Sequence, residues 1–254
     1  MPGSKHVSAV AIIPARLASE RFPRKVLADA TGKPMIVHVA QATAQAETVQ
    51  RVVIAADCEE IADAAKPSGV EVVLTDPSHP NGTSRVAEAA AILGIDESTL
   101  VVNVQGDEPE IEASTIDAAV HALADRDTPV ATVAARFADD EDPSNPNIVK
   151  VVCNEMGEAL YFSRAPIPFG RGTTPDYYKH IGLYVYRRSF LDLVGSLTET
   201  RLEQAEKLEQ LRFLEHGYSI AVAPVTASHV GIDTKEQYEA FVQRWQSRAG
   251  GTHA

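Results

Sequence analysis

Residues 12–27 read IIPARLASERFPRKVL, and the class of fold follows from how that stretch divides. Its first four residues close an apolar run that starts at Val7, the signature of a buried strand. The remainder is a loop carrying Arg16, Arg21, Arg24 and Lys25. Open α/β sheets bind ligands beyond the carboxyl ends of their strands, and this loop leaves its strand at such an end. On a chain of net charge −12, four cations within ten residues form a local device for holding a polyanion. Arginine offers a planar fork to phosphate oxygens and lysine a compact charge, so Arg16, Arg21 and Lys25 suit a triphosphate. Read singly, each is an ordinary surface cation; clustering behind an apolar strand points to a phosphate site.

Working outward, apolar β-branched runs recur at Val52 to Ala56, Val70 to Leu74, Leu100 to Val104 and Pro129 to Phe137. Helical spacing fills the intervals at Met35 to Ala46, Glu59 to Lys66, Ser84 to Leu93 and Thr115 to Ala124. Strand and helix in alternation predict a mostly parallel sheet covered by helices. The second half changes character: Val149 to Cys153, Ala159 to Ser163 and Ile181 to Arg187 read as strands without long helices between them, as in an antiparallel extension, a lid or a subunit contact. The spacing then predicts one helix over Arg201 to Glu215, closed by Gly217, with Leu202, Ala205, Leu208 and Leu211 as its buried stripe. A strand at Ile220 to Val225, a helix at Lys235 to Arg248 and a frayed tail to Ala254 complete the reading.

Composition narrows the partners. Lys and Arg total 23 against 35 Asp and Glu, which argues against a nucleic-acid backbone or an anionic membrane surface as partner. The length of 254 residues and 44% apolar content suit one large α/β core or a core with a smaller lobe, and one compact unit is expected. Cys58 and Cys153 are the only cysteines and lie far apart, so neither a metal knuckle nor a disulfide framework is expected, and a reducing cytoplasm fits. The N-terminal apolar run is too short to span a bilayer and lacks a cleavage pattern. Neither GxxxxGK[ST] nor GxGxxG occurs in the cationic loop, so side chains replace the glycine-built phosphate cradle.

Four further constellations carry chemistry. NVQGDEPEI (103–111) ends a strand and presents Asp107 after Gly106; one or two carboxylates plus phosphate oxygens are the usual ligands of Mg²⁺. Asp233 in GIDTKEQYE is either a second metal ligand or an N-cap, with Glu236 completing a capping box. SHPNGTSR (78–85) is a turn into a helix, where Asn81 to Ser84 either read a base edge or simply start the helix. Arg164, His180, Tyr184, Glu209 and Gln210 suit a hydroxylated acidic small molecule, although His180 has a core reading and Glu209 with Arg212 a solvated-pair reading.

In this order, IIPARLASERFPRK, HPNGTSR, NVQGDEP, YFSRAPIP, KHIGLY, LEQLR and GIDT resemble the 3-deoxy-manno-octulosonate cytidylyltransferases, or CMP-Kdo synthetases, over roughly Val7 to Arg244. The resemblance implies an α/β, three-layer nucleotide-diphospho-sugar transferase fold (Rossmann-like), with a mostly parallel sheet and a small antiparallel extension. It implies a single cytidylyltransferase domain over 1–254. The nucleotide part would span about 7–137, the sugar and dimerisation part about 148–215, and the C-terminal strand and helix 219–248. The implied activity is transfer of CMP from CTP to the anomeric hydroxyl of Kdo, giving CMP-Kdo and pyrophosphate, by an Mg²⁺-dependent cytoplasmic homodimer serving lipopolysaccharide assembly. By motif position, Arg16, Arg21, Lys25 and Asp107 are the implied catalytic residues. Arg16, Lys25, Asn81, Gly82, Thr83, Arg85 and Gln105 would meet the nucleotide. Arg21, Arg164, His180, Tyr184, Glu209 and Gln210 would meet the sugar, and Asp107 and Asp233 the metal. The chain departs from the family's RxPGKPL, reading RFPRKVL, and from HxSGTxR, where it has Asn81. Activation of a related acidic sugar, or a non-catalytic nucleotide-binding role, are the alternative readings. The Tyr161 to Tyr186 segment is the expected dimer contact.

Overall fold

A computed structural model describes residues 7–19, 21–226 and 231–250. In chain order the regular elements of the first half are β1 (Ala9–Ala15), α1 (Met35–Thr43), β2 (Val49–Ala56), α2 (Glu59–Ala65), β3 (Glu71–Leu74), α3 (Gly82–Ile92), β4 (Leu100–Asn103), α4 (Ala113–Ala124) and β5 (Val130–Arg136). There follow β6 (Lys150–Cys153), β7 (Ala159–Ser163), β8 (Tyr178–Arg187), α5 (Arg188–Val194), α6 (Arg201–Glu206), α7 (Gln210–Glu215), β9 (Ile220–Val225) and α8 (Lys235–Gly250). Residues 251–254, part of the tail expected to fray, lie outside the described residues.

The chain divides into two compact units that interleave in sequence. The first comprises Val10–Ile95, Asn103–Ala113 and His229–Ala254. Its strands run in the order β3-β2-β1, with β2 and β3 parallel and Val53 opposite Glu71. The apolar runs become strands because their β-branched residues are buried on both faces: Ile12, Ile13, Val53 and Ile54 are fully enclosed. A small aromatic cluster of Met35, Ile232, Tyr238 and Phe241, joined by Phe22, fixes α8 against the start of α1 and the cationic loop. Burying each such side chain contributes about 1.5–3 kcal/mol.

The second unit comprises Met1–Ala9, Asp96–Val102 and Ser114–Ser228. Its strands run β4-β8-β5-β9, with β9 parallel and β8 antiparallel to β5, and the β6–β7 hairpin pairing onto β8. The antiparallel part therefore includes a ten-residue strand within the order as well as the hairpin. Helix α5, between β8 and α6, has no counterpart in the sequence reading.

The single helix expected over Arg201 to Glu215 is two. Lys207 adopts a left-handed conformation at φ 53° and ends α6, so Gln210 begins a new helix. The leucine stripe splits accordingly: Leu208 and Leu211 are buried, whereas Leu202 is 39% exposed. Glu203 is buried instead, accepting from the Arg212 Nε at 2.8 Å across the break. That pair folds α7 back on α6 and raises the Arg212 pKa, chiefly through the hydrogen bond. Gly217 closes α7 at φ 83°, and Tyr218 N donates to Phe213 O as a helix-terminating turn requires.

Candidate active site

In the first unit the cationic loop is pinned at both ends. After β1, Asp57 N donates to Ala15 O at 3.1 Å, and Leu17 N donates to the Asp57 carboxylate at 3.0 Å. Further on, Phe22 packs on Tyr238 at a ring separation of 5.5 Å, and Ala30 N donates to the Tyr238 hydroxyl at 2.8 Å. The intervening turn, Lys25 N to Phe22 O, aims the lysine inward.

Lys25 spends all three ammonium donors there. Nζ donates to Asp107 Oδ2 at 2.6 Å, to Asp233 Oδ1 at 3.1 Å and to Ile232 O at 3.1 Å. Arg21 pairs with the other Asp233 oxygen at 2.8 Å. The two aspartates meet because Ile232 N donates to Asp107 O at 2.8 Å, while the Ile232 side chain is locked in the aromatic cluster. Gly106 brings the Asp107 segment close. A Cβ at that position would lie 2.8 Å from Pro14 O, so only glycine lets the two backbones approach. The same glycine also sits in a turn, closed by Glu108 N donating to Gln105 O at 3.2 Å.

Asp233 is not the helix cap. Thr234 Oγ1 accepts from Gln237 N at 3.3 Å, and Gln237 Oε1 reaches back to accept from the amides of Thr234 and Asp233. The capping box is therefore Thr234 and Gln237 rather than Asp233 and Glu236, and the Asp233 carboxylate is left for Lys25 and Arg21. Sequence reasoning missed this, although Thr234-x-x-Gln237 satisfies the same pattern.

These residues border a pocket of about 740 Å³, a size usual for small-molecule sites. Arg16, Arg21, Arg24, Lys25, Asn81, Gly82, Arg85, Gln105, Asp107 and Asp233 line it. Thr83, grouped with them from sequence, is buried behind the wall and does not. Asn81 caps α3, its Oδ1 accepting from Ser84 N at 2.8 Å, so the helix-start reading of that motif holds for its carbonyl. Arg85 is buried, with Nη1 donating to Thr75 Oγ1 at 2.6 Å and Asp76 O at 3.2 Å. His79, which the sequence reading passed over, also lines the pocket, its ring bonded to Glu88 at 2.6 Å.

The donor set fits a hard divalent cation that shares its shell with a ligand. Two carboxylates converge on one point, marked by the Lys25 ammonium. Among the described residues no three His, Cys, Asp or Glu gather to hold an ion unaided. Mg²⁺ characteristically takes one or two carboxylates and completes its shell with phosphate oxygens and water.

Arg164, His180, Tyr184, Glu209 and Gln210 all belong to the second unit. The register of β8 against β5 jumps from Tyr184 opposite Thr132 to Ile181 opposite Val133, leaving Gly182 and Leu183 as a bulge. Bulges re-aim side chains, and here the His180 and Tyr184 rings lie 5.4 Å apart. His180 Nε2 is 2.9 Å from Thr132 Oγ1, which also lies 2.7 Å from Leu183 O, so one ring nitrogen is engaged within the bulge. Burial lowers the His180 pKa to about 3, so the ring is neutral. Tyr184 is driven the other way: burial, then Tyr186 and Glu209, raise its pKa well above the usual phenol value. Arg164 donates from Nε to Glu206 O, from Nη1 to Pro146 O and from Nη2 to Lys207 O, which leaves two of its five donors.

Comparison with known proteins gives a consistent result. A family model described as cytidylyltransferase matches residues 10–220. A 3-deoxy-manno-octulosonate cytidylyltransferase of Syntrophobacter fumaroxidans is 49% identical over 237 residues, covering 92% of this chain and 95% of that one. Another, of Geobacter metallireducens, is 44% identical over 247 residues, covering 92% and 96%. A solved CMP:2-keto-3-deoxy-manno-octonic acid synthetase in complex with CTP superposes with a TM-score of 0.89 at 37% identity, covering 95% of this chain and 99% of that one. A cytidylyltransferase structure from Leptospira borgpetersenii, at TM-score 0.60 and 19% identity over 93% and 86%, shares the fold.

Proposed function

We infer the chemistry of this chain from one premise: it belongs to the cytidylyltransferase family. It is a nucleotidyltransferase that passes CMP from CTP to the anomeric hydroxyl of 3-deoxy-D-manno-octulosonate, giving CMP-Kdo and pyrophosphate. The observation that carries the assignment of residues is the convergence of Arg21, Lys25, Asp107 and Asp233 in a single pocket.

In this reading the sugar hydroxyl attacks the α-phosphorus and the bond to the β-phosphate oxygen breaks. Such transfers depend on alignment and on neutralising charge at the non-bridging and leaving oxygens. Arg16, Arg21 and Lys25 supply fixed positive charge for that purpose. Asp107 orients Lys25, and Gln105, Asn81, Gly82 and Arg85 border the nucleoside end. Asp107 and Asp233 are the residues that would hold Mg²⁺, which supplies Lewis-acid neutralisation of phosphate oxygens when bound.

We assign the sugar acid to the second-unit group. Two open donors of Arg164 suit a carboxylate, and the neutral His180 ring suits a sugar hydroxyl. Tyr184, Glu209 and Gln210 complete a polar set for the remaining hydroxyls. We further propose a homodimer, on the ground that Leu160 and Phe169, 62% and 86% exposed, put large apolar surface on the β7 strand and the loop after it. A cytoplasmic enzyme feeding lipopolysaccharide assembly agrees with two free cysteines, Cys58 and Cys153, and with the absence, among the described residues, of any helix able to cross a membrane.

Pyrophosphate release with CTP, Mg²⁺ and Kdo, set beside ATP, GTP and UTP, tests the whole. Turnover is expected with CTP and Kdo, lost to chelator and restored by Mg²⁺. Asp107→Ala should lower kcat far more than it raises the KM for Kdo. Release with a different sugar acid in place of Kdo would redirect the acceptor assignment, and no release with any would leave a nucleotide-binding protein.

A further inference from the structure

Arg24 has a role that the motifs do not provide for. Together with Lys207 it is a non-glycine residue of positive φ among the described residues, at φ 58°. A left-handed conformation costs an ordinary residue about 1–2 kcal/mol and glycine almost nothing. The backbone would be better served by glycine, as in the RxPGKPL pattern, so the side chain is what this position gains.

That side chain borders the pocket, yet its partner lies outside the pocket wall. Nη1 and Nη2 fork onto the two carboxylate oxygens of Glu60, in the first turn of α2. The two side chains are 55% and 47% exposed, and ion pairs so solvated are cheap to break. The neighbouring cations are differently placed. Lys25 is saturated by Asp107, Asp233 and Ile232 O, Arg21 is paired with Asp233, and Arg85 is buried on Thr75 and Asp76. Arg24, like the exposed Arg16, can turn to a ligand without leaving a pocket carboxylate unpaired.

We propose that Arg24 is a further phosphate-binding residue of this chain, held on Glu60 when the pocket is empty and transferred to the triphosphate tail of the bound nucleotide. The guanidinium fork that fits a carboxylate fits phosphate oxygens equally, and the tail carries more charge than Glu60. The proposal rests on the reading of this pocket as the nucleotide site.

Titration calorimetry with CTP and with CMP tests it, using Arg24→Gly, Glu60→Gln and, as a control for the pocket, Arg16→Ala. Arg24→Gly suits the left-handed backbone and removes only the guanidinium. It should weaken CTP about tenfold, the scale of one charge-assisted hydrogen bond after solvent screening, and change CMP less than twofold. Glu60→Gln frees Arg24 and should leave CTP binding at the wild-type level or tighter. Wild-type affinity for CTP in Arg24→Gly overturns the proposal, as does an equal loss for CTP and CMP. A loss in Glu60→Gln matching that of Arg24→Gly also overturns it, because the pair would then be a loop brace. Failure of the wild-type chain to bind CTP, or indifference to Arg16→Ala, would overturn the pocket reading itself and the proposal with it.

Discussion

Replacing Lys25 with methionine keeps the length of the side-chain stem and deletes the ammonium on which the candidate site is built. Nζ donates to Asp107 at 2.6 Å and to Asp233 and Ile232 O at 3.1 Å. The lysine side chain is 14% exposed, against 26% for Asp107 and 39% for Asp233. A hydrogen bond to a charged group contributes about 1.5–3 kcal/mol when enclosed, and an exposed ion pair about 0–1 kcal/mol. The Asp107 bond belongs near the first figure and the Asp233 bond near the second, so the loss should be about 2–3 kcal/mol. For a chain of this size that is a fall in Tm of about 5–10 °C.

Calorimetry at pH 7.5 without divalent ions reads the fall. In a double-mutant cycle, Asp107→Asn should cost about 1–2 kcal/mol less in the Lys25→Met background than in the wild type. A Tm within 1 °C of wild type, or an equal cost of Asp107→Asn in both backgrounds, would refute the reasoning.

Two other outcomes follow. Gly106→Ala places a Cβ 2.8 Å from Pro14 O, a backbone atom that cannot retreat, so it should destabilise by about 1–3 kcal/mol and lower kcat more than it raises the KM for CTP; wild-type behaviour in both urea unfolding and pyrophosphate release would refute the contact. His180, at a pKa of about 3, stays neutral in the fold while the unfolded chain protonates near 6.5. Its contribution is complete above that value and falls as pH drops toward 3, by about 2 kcal/mol at pH 5. His180→Asn should remove that share of the acid loss, seen as a smaller shift in urea midpoint between pH 7.5 and 5; an unchanged shift would count against a buried neutral ring.

Much of the frame was legible because it depends on neighbours in sequence. Ala159 to Ser163 and Ile220 to Val225 form strands over the expected residues, since β-branched and aromatic runs bounded by turn residues have few other packed solutions. The loop bearing Arg16, Arg21, Arg24 and Lys25 was visible as a charge contrast on an acidic chain. The break at Lys207 was not. No glycine or proline marks it, and the Glu203–Arg212 pair that helps hold α6 and α7 together lies across the turn.

Sequence by itself determined the alternation of strand and helix, the cationic loop and the aspartate after Gly106, all set by periodicity and by residues within a few positions of one another. Tertiary structure alone decided which residue caps α8 and which carboxylate faces the pocket, because Asp233–Glu236 and Thr234–Gln237 both fit the local pattern. The choice was made by Lys25, 82 positions from Asp107 and 208 from Asp233. Electrostatic and packing forces act over a few ångströms of space whatever the separation along the chain, so no local pattern could assign those partners.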